Sequence, residues 1–442
     1  MTKARQDGLY LVLLGAAVFL LVGGALQVAS PSSMGDFKGI YFESRCAVRN
    51  CDPYDPRQIA NFYANEGGQK FSNSAERNLF INVTLGVNLP STLLLVEPIA
   101  SLPWKVAKAL WTLLTAGSLI LALFLLWDIG AESSPVITGA LIFVFFATSE
   151  LFLVLGNPAC IVISFVVFAM WCFFRERFAF LGIAALALSI LIKPHDVVLV
   201  WLYLFVYGGK LRVRALQTLA ATVVLGVLSV LWISSVASGW LDELRMNLAS
   251  MSARGGLNDP GPASMAGHGI GMIVNLQTIF SEWKDDPSFY NWASYILCGI
   301  LLAVWLCAAL KARSSGETIW FGLAPISAIA ILPTYHRVYD AKLLVLVIPA
   351  CVILWKRKGP IAWYALILTG LGALTTGALP WALFFRMMSH LRIFAGSTSH
   401  WTLIALQTFT VPMTLLAIGI FYLWIYVRLV WSSKLGVNIS DT

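Results

Sequence analysis

Residues 135–174 read PVITGALIFVFFATSELFLVLGNPACIVISFVVFAMWCFF, and one ionisable side chain, Glu150, interrupts them. The apolar runs on either side of that break are close to the length of about 20 residues that carries an α-helix across a hydrocarbon core. They are continuous, not alternating with a period of two over about ten residues, so membrane-barrel strands do not fit. The rest of the chain repeats the pattern: 59% of its residues are hydrophobic and 12% charged, against about 25% charged in an average soluble domain. A soluble fold of that composition would expose more apolar surface than water tolerates. In lipid the backbone must satisfy its own hydrogen bonds, which leaves helices.

Spans are expected at 9–29, 104–127, 135–155, 158–174, 178–192, 195–208, 215–237, 291–310, 318–334, 341–355, 360–379 and 401–427. The fold class is therefore an all-α polytopic membrane protein of about 12 transmembrane helices, a single integral-membrane domain over residues 1–442. The first run is too long for a signal-peptide core and reads as a retained span. Residues 89–103 are short and interrupted by proline, so they read as re-entrant or interfacial.

A net charge of +8 does not point to nucleic acid here, because the basic residues sit beside apolar runs. With Lys3 and Arg5 in the cytoplasm, alternation puts Arg175, Arg177, Lys210, Arg212, Arg214, Lys311, Arg313, Lys356, Arg357, Lys358, Arg428 and Lys434 on the same side. That agreement is the positive-inside pattern. The outer loops are then 30–103, 239–290 and 380–400. In the first, segments around 57–64 and 75–83 read as short amphipathic helices along the membrane surface. In the second, the Gly/Pro-rich centre 255–269 reads as a mobile loop or lid. Most cysteines lie in apolar runs, but Cys46 and Cys51 share the first loop, where a disulfide and two free thiols both stay open.

Ionisable groups at or within apolar segments are costly and therefore default to functional candidates. On the outer side these are Asp36 after the first span, and Glu150 and Asn157 between the third and fourth. Lys193-Pro194-His195-Asp196 follow the fifth, and Tyr335-His336-Arg337 with Asp340 follow the ninth. A carboxylate among Lys, His and Arg suits a lipid-phosphate substrate, with cations on the phosphate and a carboxylate base for an attacking hydroxyl. No HExxH, CxxC pair or DxD in the first outer loop is present, so no metal or cofactor is expected. Walker and GxGxxG elements are absent too, which removes nucleotide hydrolysis.

Four segments together resemble the polyprenol-phosphate-mannose-dependent mannosyltransferases of glycosyltransferase family 87. They are Gly35-Asp36-Phe37-Lys38-Gly39-Ile40-Tyr41 with Asn50-Cys51-Asp52-Pro53-Tyr54-Asp55-Pro56; Leu89-Pro90 through Pro98 to Leu102-Pro103; Gly156-Asn157-Pro158 with Lys193-Pro194; and Thr334-Tyr335-His336-Arg337. Where this chain has Asn157 the family usually has glutamine, and the family's tyrosine and one proline are missing from the second segment. The resemblance implies a GT-C fold and transfer of a sugar, mannose or another hexose or pentose, from a polyprenyl-phosphate carrier. The acceptor would be a lipid or glycan hydroxyl, with inversion, at a bacterial cytoplasmic (inner) membrane whose active site faces the periplasm or exterior. It implies Asp36 as the base and Lys193 and His336 as holders of the donor phosphate; Arg337 is added on charge and position. Tyr41, Asn157, His195 and Glu150 are candidates for substrate contact. The expected partners are the lipid-linked donor, the acceptor and membrane lipids, with no nucleic acid. A transporter or flippase of a lipid-linked sugar is the rival reading; it would place polar groups along a path through the bilayer, whereas here they crowd one face.

Overall fold

A computed structural model describes residues 2–30, 32–68, 74–264, 273–312, 317–390 and 397–435. Among them every regular element is helical, apart from one isolated bridge between Ile273 and Arg337. Among the described residues six helices are long and apolar enough to cross a membrane: Lys3–Ala29, Trp104–Gly130, Pro135–Leu155, Gly209–Val236, Pro287–Lys311 and Thr408–Trp431. A seventh is counted if Pro360–Thr375 and Ala378–Met388, bent by 81°, make one broken span. The twelve expected spans are thus not all of spanning length. Ala159–Phe174, Ala179–Ile192, Pro194–Tyr207 and Thr318–Ile329 form where spans are expected but are shorter. The expected span at 341–355 is a 3-10 turn, Asp340–Val347, running into the α-helix Ile348–Arg357.

Salt bridges and hydrogen bonds fix two opposite ends. Arg5 and Arg175 both reach Asp128, near the C-terminus of Trp104–Gly130, at 3.9 and 2.8 Å, and Lys210 meets Glu176 at 2.8 Å. Near the other end of that helix Lys108 donates to Ser33 at 3.3 Å, just ahead of Asp36. The helix runs Trp104–Gly130, and at 1.5 Å per residue the two ends lie about 40 Å apart. Arg5, Arg175 and Lys210 therefore sit at one end and the candidate site at the other.

The first span packs backbone to backbone on Pro135–Ala147. A Cβ on Gly8 would lie 2.4 Å from the carbonyl oxygen of Pro135, and one on Gly139 would lie 2.4 Å from that of Gly8. Close approach through small residues is how helices associate where lipid competes for apolar faces.

The first outer loop folds into the helices Gly35–Val48, Pro56–Asn65, Ser74–Thr84 and Pro90–Ala100. The two amphipathic segments expected there are helical, and 89–103 contains a short helix with Pro98 inside it. Cys46 and Cys51 form a disulfide, which resolves the open pairing. Parts of the expected lid (265–269) and of the third outer loop (391–396) lie outside the described residues.

Candidate active site

Each functional side chain sits where a helix begins or ends. Asp36 lies in the first turn of Gly35–Val48, where unpaired backbone N–H groups favour a carboxylate. The preceding residue but one, Met34, adopts φ 63° and donates its N–H to the Val154 carbonyl at 2.6 Å. Gly156, at φ 67°, ends the helix Leu151–Leu155. A Cβ there would press on Met34 Sδ at 2.8 Å, so only glycine lets the next residue approach Asp36. That residue is Asn157, whose Nδ2 donates to Asp36 Oδ2 at 2.7 Å. Its Oδ1 accepts from the Ala159 N–H at 2.9 Å, which fixes the amide so that its donor face meets the carboxylate.

Lys193 joins the helices Ala179–Ile192 and Pro194–Tyr207. Carbonyls at the end of a helix need partners from elsewhere. Ser91 and Thr92, on the short loop helix, supply hydroxyls to Leu191 O at 2.6 Å and Ile192 O at 3.2 Å. The proline-flanked loop helix is thereby tied to the lysine junction.

The segment 330–340 brings the remaining cations. Val274 N donates to His336 O and Leu276 N to Leu332 O, each at 2.9 Å, and Ser294 Oγ donates to Leu332 O at 3.2 Å. Asp340 is the hub: one carboxylate oxygen pairs with Lys193 Nζ, and the other accepts the Arg337 N–H at 2.9 Å. Asp196 lies 3.4 Å from Lys193 Nζ through Oδ2. Through Oδ1 it lies 3.3 Å from His336 Nε2 and 3.5 Å from His195 Nε2. The Arg337 side chain donates to Tyr335 Oη at 2.5 Å and to Asn258 Oδ1 at 3.2 Å, so the second outer loop holds it.

Burial pushes the Asp36 carboxyl above its ordinary range, while Arg337, the Asn157 amide and Lys193 pull it back. Its accessible edge is not sealed: Asp36 is only half-buried. Two turns along the same helix, Glu43 is fully buried and is pushed up to about 8 by desolvation, against the Asn88 amide, which donates to its oxygens at 3.1 and 2.9 Å. Glu243 is raised to about 7, by burial and by the neighbouring Asp52.

Asp36, Asn157, Lys193, His195, His336 and Arg337 thus come together. Tyr41 lies elsewhere: its hydroxyl donates to Leu102 O at 2.8 Å, within a buried cluster with Phe37 and Trp104. Glu150 also lies in other surroundings, accepting from Leu379 N at 2.6 Å next to Lys342. Lys342 was not singled out from the sequence; it is buried and donates to Thr148 Oγ1 at 2.7 Å and Thr376 Oγ1 at 3.1 Å. Asn258 and Tyr339 were missed as well; the Tyr339 hydroxyl faces Asp36, and its ring lies under Lys193 at 5.4 Å. Tyr339 carries no signal beyond being polar near an apolar run, and Asn258 none beyond lying in a Gly/Pro-rich loop.

Residues 88–335 match the sequence pattern of glycosyltransferase family 87, more than half of the chain. The chain belongs to glycosyltransferase family 87. It is accordingly a membrane glycosyltransferase, with a sugar donor and an acceptor as its substrates. No curated protein and no solved structure matches it. Within the family match lie Asn157, Lys193 and His195; Asp36 precedes it, and His336 and Arg337 directly follow it. The carboxylate therefore joins the family's segment by tertiary contact with Asn157.

Proposed function

We propose that the protein transfers a sugar, mannose or a related hexose or pentose, from a polyprenyl-phosphate carrier to a lipid or glycan hydroxyl, with inversion. The single observation that carries this reading is the Asp36 carboxylate held by Asn157 at 2.7 Å within the electrostatic reach of Arg337 and Lys193. Asp36 takes the proton of the acceptor hydroxyl as its oxygen attacks the anomeric carbon from the face opposite the phosphate. The bond from that carbon to the phosphate oxygen breaks, and the carrier leaves as polyprenyl phosphate. Lys193 and Arg337 hold the phosphate and offset the charge it gains, with His336 directly beside them. His195 is half-exposed beside them and contacts the donor's sugar or phosphate. Because phosphate is already a good leaving group, position, a base and charge stabilisation supply most of the acceleration.

The site end lies opposite the basic clusters, which supports a site on the non-cytoplasmic face, in a bacterial inner membrane. Crowding of polar groups at one end, together with family membership, favours a transferase over a flippase. Purified protein is to be incubated with labelled polyprenyl-phosphate-mannose and a total lipid extract. A labelled, chromatographically new lipid or glycan is expected from the native chain and not from Asp36→Ala or Asp36→Asn. Full product formation by both variants would remove Asp36 from the reaction.

A further inference from the structure

Two cationic side chains, Lys193 and Arg337, stand among three carboxylates, Asp36, Asp196 and Asp340. With both histidines neutral the group is net negative, and a phosphodiester donor adds a further negative charge. Charges of one sign repel strongly in a poorly solvated site. The phosphate reading therefore asks for one more cation.

His336 indicates where it would sit. Its Nδ1 lies 3.2 Å from the Thr334 carbonyl. A carbonyl oxygen only accepts, so Nδ1 carries a ring proton, and in the neutral ring that a metal ligand requires Nε2 presents a lone pair. That lone pair faces another acceptor, Asp196 Oδ1, at 3.3 Å, and His195 Nε2 approaches the same oxygen at 3.5 Å. Asp196 and His336 are each 1% exposed, yet neither the Asp196 oxygens nor His336 Nε2 makes a hydrogen bond of ordinary geometry. Atoms that converge in this way need a cation between them, either a second ring proton on His336, which the adjoining Asp196 favours, or a metal ion that His195 also reaches.

We propose that His195 Nε2, Asp196 Oδ1 and His336 Nε2 bind one divalent transition-metal ion, whose open side meets a donor phosphate oxygen; the role of that open side rests on the donor reading above. The three ligand atoms lie within 4.8 Å of one another. Ligands about 2.1 Å from a tetrahedral ion are spaced by about 3.4 Å, between the contacts of 3.3 and 3.5 Å to Asp196 Oδ1. Two imidazoles with one carboxylate select the Zn²⁺, Co²⁺ and Mn²⁺ class over Mg²⁺ and Ca²⁺. The Thr334 carbonyl on Nδ1 is the outer support that ligating histidines use to fix their tautomer. Lys193 stands on the other oxygen, Oδ2, at 3.4 Å and leaves Oδ1 to the ion. The His195 side chain, 49% exposed, opens the path from solvent. No sequence motif announces the set, because its ligands come from two distant segments.

The test is a titration of the full chain, in detergent and without a polyhistidine tag, with Co²⁺ alone. One equivalent is expected to bind with visible d–d absorption. His195→Ala removes a half-exposed side chain and leaves the core packed; it is expected to weaken Co²⁺ binding at least tenfold, and His336→Gln to abolish the absorption. Asp36→Asn is expected to bind Co²⁺ like the native chain. No absorption from folded native protein, or absorption that His195→Ala and His336→Gln both leave unchanged, overturns the proposal; the counter-cation is then a second ring proton on His336. Sugar transfer by protein that binds no Co²⁺ overturns the metal and spares the donor reading. Co²⁺ binding by protein that transfers no sugar upholds the metal and counts against the donor.

Discussion

Asn157 spends its amide in one direction, oxygen to the Ala159 N–H and nitrogen to the Asp36 carboxylate. A hydrogen bond to the charged form of an acid favours that form. In Asn157→Ala the Asp36 carboxyl, already raised by burial, is expected to rise further. A base works only when deprotonated, so transfer is lost as pH falls through the Asp36 pKa. The acid limb of kcat/KM against pH is therefore expected to move to higher pH in Asn157→Ala, with the plateau rate lowered less than in Asp36→Asn. The latter should lose about 10²–10⁴-fold, the usual share of general base catalysis. An acid limb that stays in place in Asn157→Ala would show that Asp36 is not the titrating base.

At the scale of elements, two joints decide whether the site forms. Gly139 lets the first span touch Pro135–Ala147 through bare backbone, with 2.4 Å to the Gly8 carbonyl for any added Cβ. Gly139→Leu is expected to destabilise by about 1–3 kcal/mol or more, the ordinary cost of overpacking, seen as a lower melting temperature in detergent. The second joint is the bridge from Cys46 to Cys51, which closes a five-residue separation at the end of the helix that carries Asp36 in its first turn. A loop that short stabilises by about 2 kcal/mol on the chain-entropy view. Cys46→Ser with Cys51→Ser is expected to melt earlier, and an unchanged melt would show that the helix does not depend on its clamp. Helix positions were legible in the sequence because long apolar runs admit no other backbone, and the end of each run was marked by a polar residue. Span number was less legible. Pro325 sits inside Thr318–Ile329, and the expected span after it starts as a 3-10 turn, so hydropathy alone counts broken pieces as whole crossings.

The whole molecule carries its charges in two opposed ways. Glu43 is pushed up to about 8 in the folded protein, against about 4.3 in an unfolded chain. The folded state then binds this proton more tightly, so stability falls as pH rises from about 4.3 to about 8 and is level above it. Each unit of that window is worth about 1.4 kcal/mol for a fully expressed shift. Glu43→Gln is expected to melt higher than the native chain at pH 8 and to flatten the decline between pH 5 and 8. Parallel declines in both proteins would place the effect on other groups. Legibility follows the same division. Asp36, Lys193, His336 and Arg337 were readable singly, as ionisable groups at the ends of apolar runs. Their grouping through Asn157, Asp196, Asp340 and Asn258 was not, because those contacts join segments with no local pattern between them. Tyr41 and Glu150 carried the same surface signal and lie in other surroundings, Tyr41 in an aromatic cluster and Glu150 at the start of the helix Ala378–His390.

Lys193 meets Asp340 across 147 residues of chain, and Asp36 meets Asn157 across 121. At about 5–20 residues per second of synthesis, each early partner waits roughly 6 to 30 seconds for its mate to be made. Throughout that interval the first carboxylate has water and lipid headgroups to answer its charge, and the lysine has its near neighbour Asp196. Their place at helix junctions, not mid-span, lets them rest at the membrane surface until the later segments arrive. A ribosome stalled before Asp340 would hold a chain with its helices inserted and its cationic pocket unbuilt.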